Sequence, residues 1–520
     1  MLKSSGAMAF ATFISRILGM VREMIYARFM GDSIVAGAFL FAFSIPNLFR
    51  RLLGEGALTA AFIPIFKDKE KNAGEQEMWR AANAVISGLV LASAVVIVVV
   101  LAGLSITLAL GDFEVKTRLI LELLQVMFPY MMLVCLAAVF MAMLNARGHF
   151  FIPALGATLL NVVMIWSVLW LAPRFGQKLE VQIFALAFGV LLAGFAQAGF
   201  QLPTLYQEGY RFKCVSPFKN ETVRAVVAKM IPGTVGVAAF QINVVMTQGI
   251  AYWMDPTINA SFNYAIRLME LPQGMFGVAL ATFLLPTLSG LASEKKYGEF
   301  GSTLSKGMQH LLFVNLPASI LLVLLAEPVV RLLFEHGKFG PDSTLRASLA
   351  LMFLAPGLLA YSMVNILARA FFALGDTSTP MKISIFCLGA NLLLTLTFIF
   401  PMQQAGLGLA NTISSWINVW LLHQALKKKL SKLDLAEFHK SVGPTALAAF
   451  AASAAAFGVY FWWSGHMGHG TTWLRIGEVF GPLLVAIAVY WGIAIPLKIS
   501  SAHEMLEMVK GRRKKSEVKS

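Results

Sequence analysis

Apolar residues run along this chain in blocks of roughly twenty or more, the length a helix needs to cross about 30 Å of hydrocarbon. Each block is closed by a short polar stretch. Run length and breakers together predict fourteen membrane helices, near residues 7–30, 33–65, 81–111, 119–146, 151–172, 181–206, 225–253, 260–291, 304–333, 345–374, 380–400, 406–426, 441–463 and 474–497. The second and eighth are long, and Pro46 and Pro272 inside them predict a bend in each. The first block follows one lysine, Lys3, and shows no cleavage-like site, so it reads as a first span and not a removed signal. The expected fold class is an all-α polytopic membrane protein. Its connections are too short to hold a soluble domain of useful size.

Composition agrees with the pattern. Of 520 residues, 58% are hydrophobic and only 13% charged, beyond what soluble domains carry. Cys135, Cys214 and Cys387 are scattered, with neither disulfide nor metal spacing. The net charge of +15 needs no nucleic acid. With the N-terminus inside, 27 Lys and Arg residues fall on inner segments and 5 on outer loops. That bias predicts both termini in the cytoplasm. The tail KGRRKKSEVKS then reads as a surface attracted to anionic lipid.

Ten of the 42 basic residues are left within or at the ends of helices: Arg16, Arg22, Arg28, Arg50, Arg51, Arg267, Arg331, Arg346, Arg369 and Arg475. All are arginine, whose planar fork suits bidentate contact with phosphate or carboxylate.

The chain also repeats itself. PYMMLVCLAAVFMAMLNARGHFFIP at 129–153 and PGLLAYSMVNILARAFFALGDTSTP at 356–380 keep Pro, Ala, Gly and Pro in register at an offset of 227. GALTAAFIPIF at 56–66 echoes GVALATFLLPTL at 277–288. Both echoes join helices six apart. They predict two six-helix lobes of one orientation, 1–210 and 211–430. Helices 13 and 14, at 431–500, are appended, and 501–520 is a basic tail. A cavity between lobes and alternating access are the usual consequence of such a duplication.

Arg16 lies about ten residues into the first helix, roughly 15 Å along it. A central arginine costs about 2.5–3.5 kcal/mol to insert, while each Leu, Ile, Phe or Val returns only about 0.3–0.6. This helix must therefore face protein or a watery cavity, with Ser15 and Gly19 permitting close packing. Two readings stand for Arg16 and Arg22: a structural pairing with Glu23 or backbone carbonyls, or an anion site on a transport pathway. Arg50 and Arg51 could snorkel, and Arg51 has Glu55 at i+4. Arg267 has Glu270 at i+3. Arg28, Arg331 and Arg475 sit near helix ends, where a structural role is favoured. Nothing reads as catalytic: the histidines are scattered, HMGH at 466–469 lacks acidic or cysteine partners, and neither a Walker A motif nor a GxSxG elbow occurs.

ISRILGMVREMIYARFMG, AFLFAFSIPNLFRRLLGEGALTAAFIPIF and YAIRLMELPQGMFGVALATFLLPTLS resemble the MurJ/MviN lipid II flippases, of the multidrug/oligosaccharidyl-lipid/polysaccharide exporter superfamily. The resemblance covers most of the chain. It implies a transporter, not an enzyme, in the bacterial cytoplasmic membrane. Its cargo would be the undecaprenyl-diphosphate-linked peptidoglycan precursor, moved from inner to outer leaflet for cell-wall synthesis. The family's substrate-binding arginines fall on Arg16, Arg22, Arg50 and Arg267, and its acidic residue on Glu55. Arg51, Glu270 and Ser15 are secondary candidates. The lipid tail would lie in a groove formed with helices 13 and 14. Implied partners are lipid II, membrane lipids and cell-wall synthesis proteins. No cofactor or metal is implied, and the energy source stays open among membrane potential, sodium and protons. Where the family commonly has an aspartate in DAF, this chain reads GAF, with Gly37 in that place. That departure puts a charge role there in doubt. The alternative is a drug/cation antiporter of the same superfamily, whose cavity should hold acidic or aromatic residues where this chain concentrates arginine.

Overall fold

A computed structural model describes residues 2–52, 58–218, 220–430 and 435–507. Among them every regular element is a helix. The chain packs as two compact units, Met1–Ala260 with His336–Phe339, and Ser261–Glu335 with Gly340–Ser520. This boundary follows packing; the one expected near 210 follows internal likeness, which is a different property.

The first unit holds α1 (Leu2–Met30), α2 (Ile34–Phe49), α3 (Leu58–Ala73), α4 (Glu75–Leu110), α5 (Val115–Met127), α6 (Tyr130–Ala146), α7 (Phe151–Trp166), α8 (Ala172–Phe175), α9 (Leu179–Gly199), α10 (Leu202–Gln207) and α11 (Glu221–Met254). The helix α12 (Pro256–Pro272) starts here and runs into the second unit. There follow α13 (Ala279–Ser293), α14 (Tyr297–Leu324), α15 (Ala326–Phe334), α16 (Pro341–Leu354), α17 (Gly357–Ala373), α18 (Ser378–Lys429), α19 (Ala436–His466) and α20 (Thr472–Ala494).

Among the described residues nine helices are long and apolar enough to cross a membrane, or ten if the bent pair α16–α17 is one span. Each of the fourteen sequence blocks has helical counterparts, but the structure divides them differently. The eleventh and twelfth blocks merge into α18, which breaks at Gln403 with φ 51°. The fourth splits at Pro129 and the tenth at Pro356. The two stretches that carry Arg16, Arg22 and Arg267, α1 and α12, are not among the nine.

Polar residues set several helix starts. Ser33 Oγ accepts the Ala36 N–H at the head of α2, and Asn220 accepts from Thr222 and Val223 at the head of α11. Each contact satisfies an amide that the first helical turn leaves unpaired.

The second and eighth blocks are each interrupted by a π-helical turn after the proline expected to bend them. A π-helical turn occupies residues 50–52, four residues after Pro46, and another occupies Gln273–Val278, directly after Pro272. Proline removes one ladder donor and clashes with the preceding turn, so the helix takes up an extra residue.

The repeat holds to the level of single hydrogen bonds. Phe128 N–H donates to Leu124 O and Ala355 N–H to Leu351 O, both at 2.8 Å. At the other end His149 N–H reaches Leu144 O and Asp376 N–H reaches Phe371 O, both at 2.9 Å. Gly148 and Gly375 hold φ of 89° and 74° there. That is the left-handed closure of a helix, which glycine adopts without a Cβ penalty.

Core packing differs along the chain. In the first unit Phe62, Phe66, Trp79, Phe140 and Tyr210 form an aromatic-rich cluster. In the second, α19 presents Ala448, Ala449, Ala452 and Ala456 to α14 and α20. Small residues let these helices approach closely without a hydrophobic drive from water. Tyr490 fixes the seam by donating to Phe313 O at 2.6 Å.

Candidate functional site

The first helix answers the insertion problem with an amide from α7. Arg22 donates from Nη1 to Asn161 Oδ1 at 3.0 Å, and Asn161 Nδ2 donates to Ser15 O at 3.1 Å. Glu23 pairs with the other Arg22 terminal nitrogen, and the guanidinium lies 5.4 Å from the Tyr26 ring centroid. Arg22 Nε is nevertheless buried with no hydrogen-bond partner. Arg22 is thus partly neutralised and partly open, with one donor still to be satisfied.

Arg16 is different. It is half-buried six residues earlier on α1 and has no hydrogen bond or ion pair among the described residues. Gly19, between the two arginines, leaves the Asn161 amide about a van der Waals contact from where its Cβ would stand, at 3.8 Å. Ser15 takes part through its carbonyl oxygen.

Arg50 and Arg51 stand on the π-helical turn after α2. Arg50 Nε donates to Asn47 Oδ1 at 2.7 Å. Arg51 Nη1 donates to Gln241 Oε1 of α11 at 3.2 Å. Glu55, the expected partner of Arg51, lies outside the described residues. In the second unit Arg267 pairs with Glu270 at 2.7 Å, both side chains more than a third exposed. The i+3 pairing read from the sequence is therefore present, and in exposed form such pairs contribute little.

Gly37 has a steric explanation. A Cβ there would stand 2.3 Å from the Pro256 carbonyl oxygen, at the start of α12. Asn259 Nδ2 donates to the Gly37 carbonyl at 3.2 Å. No side chain fits between α2 and this turn, so an aspartate at position 37 would require the backbone to part.

Of the three arginines read as structural, Arg331 and Arg475 are held by carboxylates, and Arg28 is not. Arg331 is buried against three carboxylates: Glu327, Glu335 at 3.8 Å and Glu478 at 3.1 Å. Arg475 pairs with Glu335 at 3.0 Å. Arg28 is exposed, and its carbonyl accepts the Lys338 N–H.

Sequence reasoning missed Asn161 and Gln241, the amides that position Arg22 and Arg51. Asn161 is the one polar residue in the apolar run LLNVVM, and Gln241 shares AFQINVV with Asn243 alone. That interruption was the available signal, because a lone amide inside a membrane helix needs a partner.

Among the described residues the chain is all-helical, with nine or ten helices able to cross a membrane, which is the class of polytopic membrane proteins. The profile of the family "Lipid II flippase MurJ" matches residues 26–475. The chain belongs to that family. A relative from Buchnera aphidicola subsp. Schizaphis graminum, named probable lipid II flippase MurJ, is 34% identical over 434 residues, 82% of this chain and 84% of the relative. Among solved structures, a lipid II flippase MurJ in an inward closed conformation superposes with a TM-score of 0.76 at 24% identity, over 94% of this chain and 99% of that one. An inward-facing MATE multidrug resistance transporter of the MOP superfamily reaches 0.61 at 15% identity, over 80% and 96%. These two likenesses concern the fold alone.

Proposed function

We propose that this chain flips lipid II from the inner to the outer leaflet of the bacterial cytoplasmic membrane by alternating access. Arg16, Arg22, Arg50 and Arg267 bind the diphosphate, with Glu55 tuning the paired arginines and Arg51, Glu270 and Ser15 assisting. The observation that carries the reading is Arg16, a half-buried guanidinium without a partner among the described residues, in a chain of this family. A charge of that kind is costly when empty, and a diphosphate offers it the bidentate, charge-assisted bonds that arginine makes best.

The proposed topology is fourteen spans in two repeated six-helix lobes plus two, with both termini cytoplasmic; the uneven distribution of Lys and Arg supports it. The lipid tail rides along helices 13 and 14. Membrane potential, a sodium gradient and protons all remain open as the energy source; the first would favour outward movement of a negative charge by about 2.3 kcal/mol per 100 mV. Cell-wall synthesis proteins are the expected partners in receiving the product.

The test is a lipid II translocation assay in proteoliposomes with Arg16→Ala, Arg22→Ala and Arg267→Ala, insertion being checked separately. Loss of flipping in all three with insertion retained is the expected result. Full activity in all three would refute the assignment.

A further inference from the structure

A groove of about 650 Å³ lies between α4 and α11 in the first unit, within the ~300–1,000 Å³ of typical small-molecule sites. Leu89, Ala92 and Val96 form one wall, and Val223, Val227 and Met230 the other. Ser93 supplies the one hydroxyl in the lining. On α11 the wall residues fall on one helical face, so the groove follows the helix axis. One side is open: Val95 is 55% exposed and Phe218 74%. Beyond the groove α4 continues with exposed Val98 and Val99. The cleft therefore merges with a surface that only hydrocarbon can cover.

One end of the groove is basic. The segment 211–218 is fastened along α4, where Asn83 Nδ2 donates to Arg211 O at 2.9 Å and Val215 N–H donates to Ser87 Oγ at 3.2 Å. Pro217 closes on Gly88, where a Cβ would come within 3.2 Å. Arg224 follows the lining residue Val223, and Lys213 lies two residues before the tethered Val215; both are exposed. The side chains of Lys213 and Arg224 have no ion pair among the described residues. Glu221 is the one carboxylate in the sequence between Gly209 and Met254.

We propose that this groove binds an anionic phospholipid of the bilayer, one acyl chain lying along α11 and the phosphate held by Lys213 and Arg224. An apolar channel alone would accept any chain. The unpaired basic end selects an anionic headgroup, and the lateral opening admits it straight from the membrane. The site is separate from the arginines of α1 and α2, and lipid retention is read without any transport step. Failure of the flippase reading would leave it standing.

The experiment is native mass spectrometry of the full chain released from nanodiscs of equal phosphatidylglycerol and phosphatidylcholine. The wild type should retain phosphatidylglycerol in preference. Ala92→Trp fills the groove from an exposed wall position and should lose retained lipid of both kinds; Val227→Trp repeats the block from the opposite wall. Lys213→Ala with Arg224→Ala should keep bound lipid but lose about tenfold of the headgroup preference. Two blocked variants retaining as much lipid as the wild type would show annular lipid only and overturn the site. So would an unchanged preference in the double variant, or displacement of phosphatidylglycerol by equimolar undecaprenyl diphosphate.

Discussion

Arg331 in the second unit and Arg22 in the first are both buried arginines, 9% and 12% exposed in their side chains, yet their surroundings differ. Arg331 faces Glu327, Glu335 and Glu478, and through Glu335 is linked to Arg475. Thr344 donates to the same Glu335 at 2.8 Å. The cluster ties α15 to α16 and α20 with more carboxylates than arginines. Arg22 has one carboxylate, one amide and an unsatisfied Nε, and Arg16 beside it has no partner among the described residues. A saturated guanidinium holds a fold together. An unsaturated one keeps donors for something that arrives later.

The sharpest way to break this comparison is Arg331→Ala. It leaves Glu478, 1% exposed, as an uncompensated buried charge, and should destabilise the protein by about 3–5 kcal/mol. Thermal unfolding in detergent would show it as a large drop in midpoint. Asn161→Leu should cost less, about 1–3 kcal/mol, by stripping Arg22 of its amide while freeing the Ser15 carbonyl; a change smaller than that of an exposed control would mean the α1–α7 link is not needed. Arg16→Ala should leave the unfolding midpoint unchanged or raise it, since no recorded contact is lost, while flipping is abolished. A destabilisation comparable to Arg331→Ala would place Arg16 among the structural residues.

A second contrast lies at the ends of the repeated helices α6 and α17. After α6, Arg147 pairs with Glu208 at 2.7 Å and with Glu75 at 3.3 Å, as well as with Glu70. After α17, Asp376 pairs with Lys429. The backbone closure is the same, but the acid and base have changed sides. Like geometry therefore needs some clasp and not a particular polarity.

Both clasps depress carboxyl pKa values. The hydrogen bond from Lys429, with those from Thr379, holds Asp376 well below the usual carboxylate range. His149 and then Arg147 lower Glu208. A depressed folded-state pKa contributes stability that is present above the ordinary value and lost as pH falls through the depressed one. The stability gap between wild type and Asp376→Asn should thus be small, constant from pH 6 to 8, and shrink only below the ordinary aspartate value of 3.8. A gap that varies between pH 6 and 8 would assign the effect to another group. This is the smallest of the expected effects, since such partly exposed pairs are worth about 1 kcal/mol or less.

What the sequence determined was whatever depends on local composition and period. The apolar blocks follow from the thickness of a bilayer, the helix interruptions after Pro46 and Pro272 from a missing amide hydrogen, and the helix closures at Gly148 and Gly375 from a backbone that avoids a Cβ clash. The arginine bias also stood in the residues themselves. Which arginines are satisfied did not. Partners such as Asn161 lie 139 residues from Arg22, and Glu478 lies 147 from Arg331. Position 37 read as a lost charge until the Pro256 carbonyl filled its space. Contacts between distant segments arise only when helices pack, and no window of sequence contains both sides of them.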